Sequence, residues 1–165
     1  MTPDNLKLFV NFECGDEPWD VEVADWITGI SEDCAATDIR DRRCKVYLYR
    51  NNIGEPIGFA AVGKSNGEWP DGISPRLAVA IIPWMGIHKD FHGRPNGPDE
   101  IRYSDQIIAD VVHKALGFGR RYLVLFVHPK NAAAIKVCAR NGFAASNRKA
   151  TGNQHVGMWL DLSAL

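Results

Sequence analysis

The reading of this chain turns on Asn131–Phe143, NAAAIKVCARNGF. Asn131 offers a side-chain oxygen where a helix would start, and Asn141-Gly142 offers a left-handed exit. Between them, Asn131, Ala134, Ile135 and Cys138 recur at i, i+3, i+4 and i+7 and so share one face. The spacing predicts a short helix with a thiol on its inner face. Just upstream, YLVLFV (122–127) is continuously apolar, as a strand covered on both faces should be. His128-Pro129-Lys130 then joins strand to helix, which sets Cys138 beside the carboxyl end of a central strand. Open α/β sheets bind their ligands at such ends.

Further upstream, YSDQIIADVVHKALGFG (103–119) repeats Ile107, Ile108, Val111, Val112, Ala115 and Leu116 at helical spacing. Ser104 is placed as its N-cap, and Gly117 and Gly119 as its stop. Before it, RLAVAIIPWMGI (76–87) reads as a buried strand that Pro83 must interrupt or bulge. It runs into IHKDFHGRPNGPDE, a Gly/Pro-rich loop that leads to the helix start. Backbone N–H groups and the helix dipole make such a junction an anion site, to which Arg94 and Arg102 add charge. In the first half, LKLFVNF (6–12) predicts a strand and DVEVADWITGI (20–30) a helix. A second short helix is expected over Cys34–Arg43. KVYLYR and PIGFAAV around NNIGE predict a hairpin, KSNGEWPDGISP (64–75) a loop, and the end of the chain a second hairpin closing on VGMWLDL. The order is that of an α/β sheet of mixed direction.

The composition narrows the class without identifying it. At 165 residues the chain is long enough for one cored domain, expected over 1–165, and 45% hydrophobic with 24% charged residues is ordinary for a globular fold. A net charge of -1 supplies no general basic field for nucleic acid. Cys14, Cys34, Cys44 and Cys138 form no C-x-x-C pair, so neither a zinc knuckle nor a disulfide framework is expected, and reduced thiols fit a cytoplasmic protein. No apolar run is long enough to suggest a membrane span, and the amino terminus does not have the pattern of a secretory leader. His88 and His92 stand four apart, but without the glutamate of a helical zinc motif and at a strand end; no metal is expected.

IHKDFHGRP, SDQIIADVVHKA and LVLFVHPKNAAAIKVCARNGF together resemble the GNAT superfamily of N-acetyltransferases over about Arg76 to Phe143. The pattern N-x-x-A-x-x-x-Y-x-x-x-G-F is met by Asn131, Ala134, Gly142 and Phe143, with Cys138 in the place of the tyrosine. The pyrophosphate loop Q/R-x-x-G-x-G/A begins at His92-Gly93-Arg94. Pro95 then falls on a glycine position and Ser104 on the last small one, which implies an insertion between Arg94 and Ser104. The N-terminal FECGDEPWDVEVADWI is similar to the F-x-C-G...D opening of acetyltransferases that act as toxins in toxin-antitoxin modules.

The resemblance implies a single-domain, GNAT-like, mostly antiparallel mixed sheet flanked by helices, with a strand-loop-helix site for acetyl-CoA. Met85, Gly86 and Ile87 would hold pantetheine and polarise the thioester. His92, Gly93, Arg94, Ser104 and Asp105 would hold pyrophosphate, and Asn131 would lie near pantetheine. Trp84 is the candidate for the acceptor pocket. Two readings stand for Cys138: proton donor to the departing thiolate, or a small residue packed beneath the cofactor. Asp90 is the candidate base, with Glu55 and His88 as neighbours in the running. The implied reaction is acetyl transfer to a primary amine by direct attack. The alternatives are a regulatory module that binds acyl-CoA with little turnover, and a toxin acetylating the α-amine of aminoacyl-tRNA. Partners are then acetyl-CoA and an amine the sequence does not identify, with a second copy of the chain a candidate; membrane and nucleic acid are not expected.

Overall fold

The computed structural model describes residues 9, 11–29, 34–41, 43–65, 78–95, 101–149 and 155–165. The chain divides into two compact units, Met1–Ala61 with Trp84–Ile107, and Val62–Pro83 with Ile108–Leu165. The first unit holds helix α1 (Pro18–Thr28), helix α2 (Ala35–Arg40) and strand β1 (Cys44–Arg50). It also holds the opening part of strand β2 (Pro56–Ser65), the short strand β4 (Met85–Ile87) and the first residues of helix α3 (Tyr103–Leu116). β1 and β2 are the expected hairpin, closed by Asn51 N–H to Glu55 C=O at 3.0 Å, with Gly54 at φ 88° where a side chain would be strained. α1 opens with Pro18 in its first turn and ends on Gly29 at φ 83°.

Phe9, Phe12, Trp26 and Phe59 form the aromatic heart of the first unit, with Cys14, Ile27, Ala35, Cys44 and Val46 packed around them. The expected first strand, Leu6–Phe12, lies mostly outside the described residues. Its described end is a turn: Phe12 N–H donates to Phe9 C=O at 3.0 Å, and the two rings meet at 4.8 Å. An i, i+3 spacing lets both rings enter the same core, which an extended chain would not.

The second unit carries the far end of β2, strand β3 (Val79–Ile82), most of α3, strand β5 (Tyr122–Val127), helix α4 (Ala132–Arg140) and the closing strands β6 (Ala144–Lys149) and β7 (Val156–Asp161). β3 pairs antiparallel with β2 and parallel with β5, while β5–β7 and β6–β7 are antiparallel. Strand order is β1-β2-β3-β5-β7-β6, with β4 on β2, so the sheet is mixed and mostly antiparallel as expected. Val79 and Val124 are fully covered, with Ile81, Tyr122 and Trp159 against them. On α3, Ile108, Val111 and Ala115 are buried whereas Leu116 is exposed, so the apolar repeat runs one residue beyond the covered face.

Pro83 does break the long apolar run. β3 stops at Ile82 and β4 resumes at Met85. β4 belongs to the first unit and packs without tolerance: a Cβ on Gly86 would stand 2.7 Å from Phe59 Cε1 and 2.8 Å from both Cys14 Sγ and Val23 Cγ1. Gly86→Ala therefore overpacks the aromatic core. It should cost about 2 kcal/mol and lower the melting temperature by about 4–8 °C; differential scanning calorimetry reads this directly, and an unchanged transition would show that β4 can move.

Candidate functional site

β4 is a strand with one edge paired. Gly58, Phe59 and Ala60 of β2 face Ile87, Gly86 and Met85. Ala61 N–H donates to Trp84 C=O at 2.8 Å, and His88 N–H to Ile57 C=O at 2.9 Å. Hydrogen-bonded pairs alternate in an antiparallel ladder, so Gly86 shares the bonded phase with Trp84 and His88. The N–H and C=O groups of Met85 and Ile87 then point away from β2. Among the described residues no second strand pairs with β4.

That outward edge has neighbours. Ile87 C=O accepts from the His92 ring at 2.9 Å; a carbonyl only accepts, so Nε2 carries the proton. Ile87 N–H lies against the Cys14 sulfur, although burial foremost, and then the charge of Asp20, pushes the Cys14 thiol up to about 12. Asp20 stands in the first turn of α1, its carboxyl also raised by burial. The F-x-C-G...D stretch thus reaches the strand where the acyl group was expected. The motif was visible in the sequence, but nothing there tied it to β4.

The loop after β4 is a 3-10 turn, Lys89–Phe91, followed by Gly93 at φ 68°. Its base is closed: Tyr103 N–H donates to Arg94 C=O at 3.4 Å, and Pro95 bridges to Arg102. Phe91 and Tyr103 rings meet edge-on at 5.4 Å. Gly93-Arg94 is thereby brought to the helix start despite the residues between, of which 96–100 lie outside the described set. Ser104 is not the N-cap. α3 begins at Tyr103, and Arg102 C=O accepts from both Asp105 N–H (3.0 Å) and Gln106 N–H (3.1 Å). The bridge at Arg102 starts the helix earlier than the apolar repeat indicates, and it engages two amides that the sequence reading left for an anion.

Other expected residues fall as follows. Trp84 is half-buried and stacks on Trp26 at 5.4 Å and 17°, and Trp26 Nε1–H donates to Asp38 at 3.0 Å. Asp90 is exposed, its backbone N–H on His88 Nδ1 at 3.3 Å and its carboxylate 3.6 Å from that nitrogen. Glu55 is tied into the β1–β2 turn by Asn51 at 2.7 Å. In the second unit, Asn131 caps α4 as expected, its side-chain oxygen accepting from Ala134 N–H at 3.0 Å. Cys138 is buried, and burial pushes its thiol up to about 11. No group of three or more His, Cys, Asp or Glu among the described residues is arranged to hold a metal ion, and no described helix is long and apolar enough to cross a membrane.

No protein-family model matches the chain, and no curated protein does. Solved structures do match in shape. A bacterial toxin aligns with a TM-score of 0.66 at 17% identity, over 99% of this chain and 86% of its own. An acyl-CoA N-acyltransferase from Klebsiella pneumoniae subsp. pneumoniae MGH 78578 aligns at 0.59 and 16%, over 92% and 95%. AtaTR bound with acetyl-CoA aligns at 0.61 and 15%, over 94% and 87%. The fold is that of the GNAT acetyltransferases. The AtaT–AtaR complex bound to DNA matches too, at 0.57 and 14%, over 93% and 86%. A GNAT fold thus occurs in a DNA-bound assembly, and the expectation that nucleic acid is no partner, drawn from net charge alone, is not supported.

The four thiols should separate by chemistry. Cys34 is partly exposed at the start of α2, and its pKa is lowered, chiefly by the Thr37 N–H; burial raises Cys14 and Cys44 to about 12 and Cys138 to about 11. Maleimide at neutral pH should label Cys34 first and the other three only after denaturation. Mass spectrometry of the labelled native protein checks this, and early labelling of Cys138 would show that it reaches solvent.

Proposed function

We propose that the chain is an acetyl-CoA-dependent N-acetyltransferase acting on a primary amine. The observation that carries this reading is the outward edge of β4, whose Met85 and Ile87 backbone groups turn away from β2 beside a closed Gly93-Arg94 loop. Pantetheine lies along Met85, Gly86 and Ile87, exchanging amide hydrogen bonds with the Met85 groups of that edge, since those of Ile87 are engaged by the His92 ring and the Cys14 sulfur. Pyrophosphate is held by Gly93, Arg94 and the Ser104 N–H at the start of α3. Asp105 contributes its charge to the α3 terminus more than to phosphate, because its N–H is bonded to Arg102. Asn131, in the second unit, enters on the family pattern alone as an acyl-CoA contact.

In the reaction, the neutral amine attacks the thioester carbonyl, whose oxygen is stabilised by an amide of β4 as negative charge develops. The C–N bond forms, the C–S bond breaks, and the proton lost by nitrogen ends on the CoA sulfur through solvent. Cys138 is packing in this reading: a buried thiol raised to about 11 is a poor acid for a thiolate whose own conjugate acid lies near 8.5. Asp90 lies exposed beside His88 Nδ1, and no base role is assigned to it in this reading. An acceptor already partly neutral, such as an α-amine with a pKa of about 7.7 to 8.0, suits such a site better than lysine at about 10.4. Trp84, backed by Trp26, forms the acceptor wall.

Ligand binding to the folded state alone must raise its stability. Millimolar CoA should raise the melting temperature by several degrees, since 100-fold saturation contributes about 2.7 kcal/mol; no shift would sink the proposal. Cys138→Ala should leave kcat with acetyl-CoA within about twofold of the parent, whereas loss of a true proton donor costs about 100-fold or more. A collapse of kcat at normal KM would restore Cys138 as the acid.

A further inference from the structure

The net charge of -1 is unevenly spread along the chain. Between Asp110 and Asp161 the sequence holds no Asp or Glu but eight Lys and Arg. The two bordering acids are themselves engaged: Asp110 accepts from the Lys114 ammonium at 2.5 and 2.6 Å, and Asp161 from Arg121 at 2.9 Å. The whole stretch belongs to the second unit, so that part of the fold is basic although the chain as a whole is nearly neutral. Part of this charge is gathered on α4. Lys136 and Arg140 stand one turn apart on its exposed face, and the rest of that face is Ala132, Ala133 and Ala139, so the two cations rise over a floor of methyl groups. Lys130 is exposed in the turn that leads into the helix.

An aromatic surface lies next to that turn. Phe126 is 38% exposed although β5 is a central strand. β3 pairs only with residues 123–125 of β5, and opposite Phe126 in β7 is Gly157, which has no side chain to cover the ring. His128 follows two residues on, hence on the same face, and meets the His155 ring edge-on at 5.8 Å and 86°. Its Nδ1 accepts from Lys130 N–H at 3.3 Å, which keeps the imidazole beside the cationic turn. Cations follow a phosphate backbone, and aromatic faces stack on unpaired bases. We propose that the rings of Phe126, His128 and His155, with the cations Lys130, Lys136 and Arg140, bind a single-stranded nucleic acid. A membrane matches the same charge less well, because the exposed face of α4 carries alanine where an interfacial helix carries Trp, Phe or Leu. A duplex would keep its base faces from the rings. The inference does not rest on acetyl transfer.

The probe is a fluorescein-labelled single strand of mixed sequence, about 12 nucleotides long, made as RNA and as DNA and titrated with the full chain by fluorescence anisotropy. At least one of the two should bind, more weakly as salt rises. Lys136→Ala combined with Arg140→Ala should flatten the log–log salt slope by about 1.4, since each phosphate contact on a single strand contributes about 0.7. Phe126→Leu keeps apolar bulk without a ring and should weaken binding about tenfold at every salt concentration, with the slope unchanged. His155→Leu, on the other strand of the platform, should do the same, so the test does not hang on one variant. No binding of either strand at about 50 mM salt overturns the inference. An unchanged slope in the double variant, full affinity in both ring variants, or equal affinity for a duplex of the same length overturns it too. So does association with phosphatidylserine vesicles in place of the strands. Displacement of the strand by millimolar CoA would assign this surface to the cofactor and also overturn it. The titrations decide the matter whether or not the chain transfers an acetyl group.

Discussion

Gly86 has no room for a side chain, and much of the first unit depends on that. Phe59, Cys14 and Val23 close on the place its Cβ would take, so β4 lies tight on the aromatic core. With Gly86 in the bonded phase against Phe59, Met85 and Ile87 must direct their polar backbone groups to the other edge. A ligand-facing edge is thus fixed by packing on the opposite side. Polar groups so placed need partners, and Ile87 already engages the His92 ring and the Cys14 sulfur.

The same packing explains why the amino-terminal motif is built as it is. Cys14 must be small enough to lie over Gly86, and Gly15 must lack a Cβ for the Asp20 carboxylate to lie where it does. Phe12 serves both the core, through Phe59 at 5.7 Å, and the loop, through His88 at 5.5 Å. One short segment therefore couples the hydrophobic core to the conformation of a polar loop. Burial is also what makes the thiols of Cys14 and Cys138 poor acids, so composition alone overstates the reactive sulfur in this chain.

Much of the fold was legible because its signals are local. The Asn131 cap, the Gly142 exit at φ 87°, the β1–β2 hairpin and the Pro83 break each rest on a few neighbouring residues. Where the sequence misled, a distant partner had intervened. Ser104 looks like a cap, yet Arg102 starts α3 because Pro95 bridges to it and Arg94 accepts from Tyr103. Leu116 continues the apolar repeat but is exposed, since periodicity does not say where the covering surface ends. LKLFVNF alternates like a strand, but a shared aromatic core draws Phe9 and Phe12, three residues apart, into a turn.

By itself the sequence determined the order of helices and strands from α1 onward, the mixed sheet, and the family pattern in NAAAIKVCARNGF. Those follow from periodicity, caps and turns, which act over a few residues. Only the tertiary structure decided that Cys138 is buried, that Cys14 lies over Gly86, and which edge of β4 turns away from β2. Exposure, desolvation and ladder phase depend on what packs against a residue from elsewhere in the chain, and no spacing along the sequence encodes that contact.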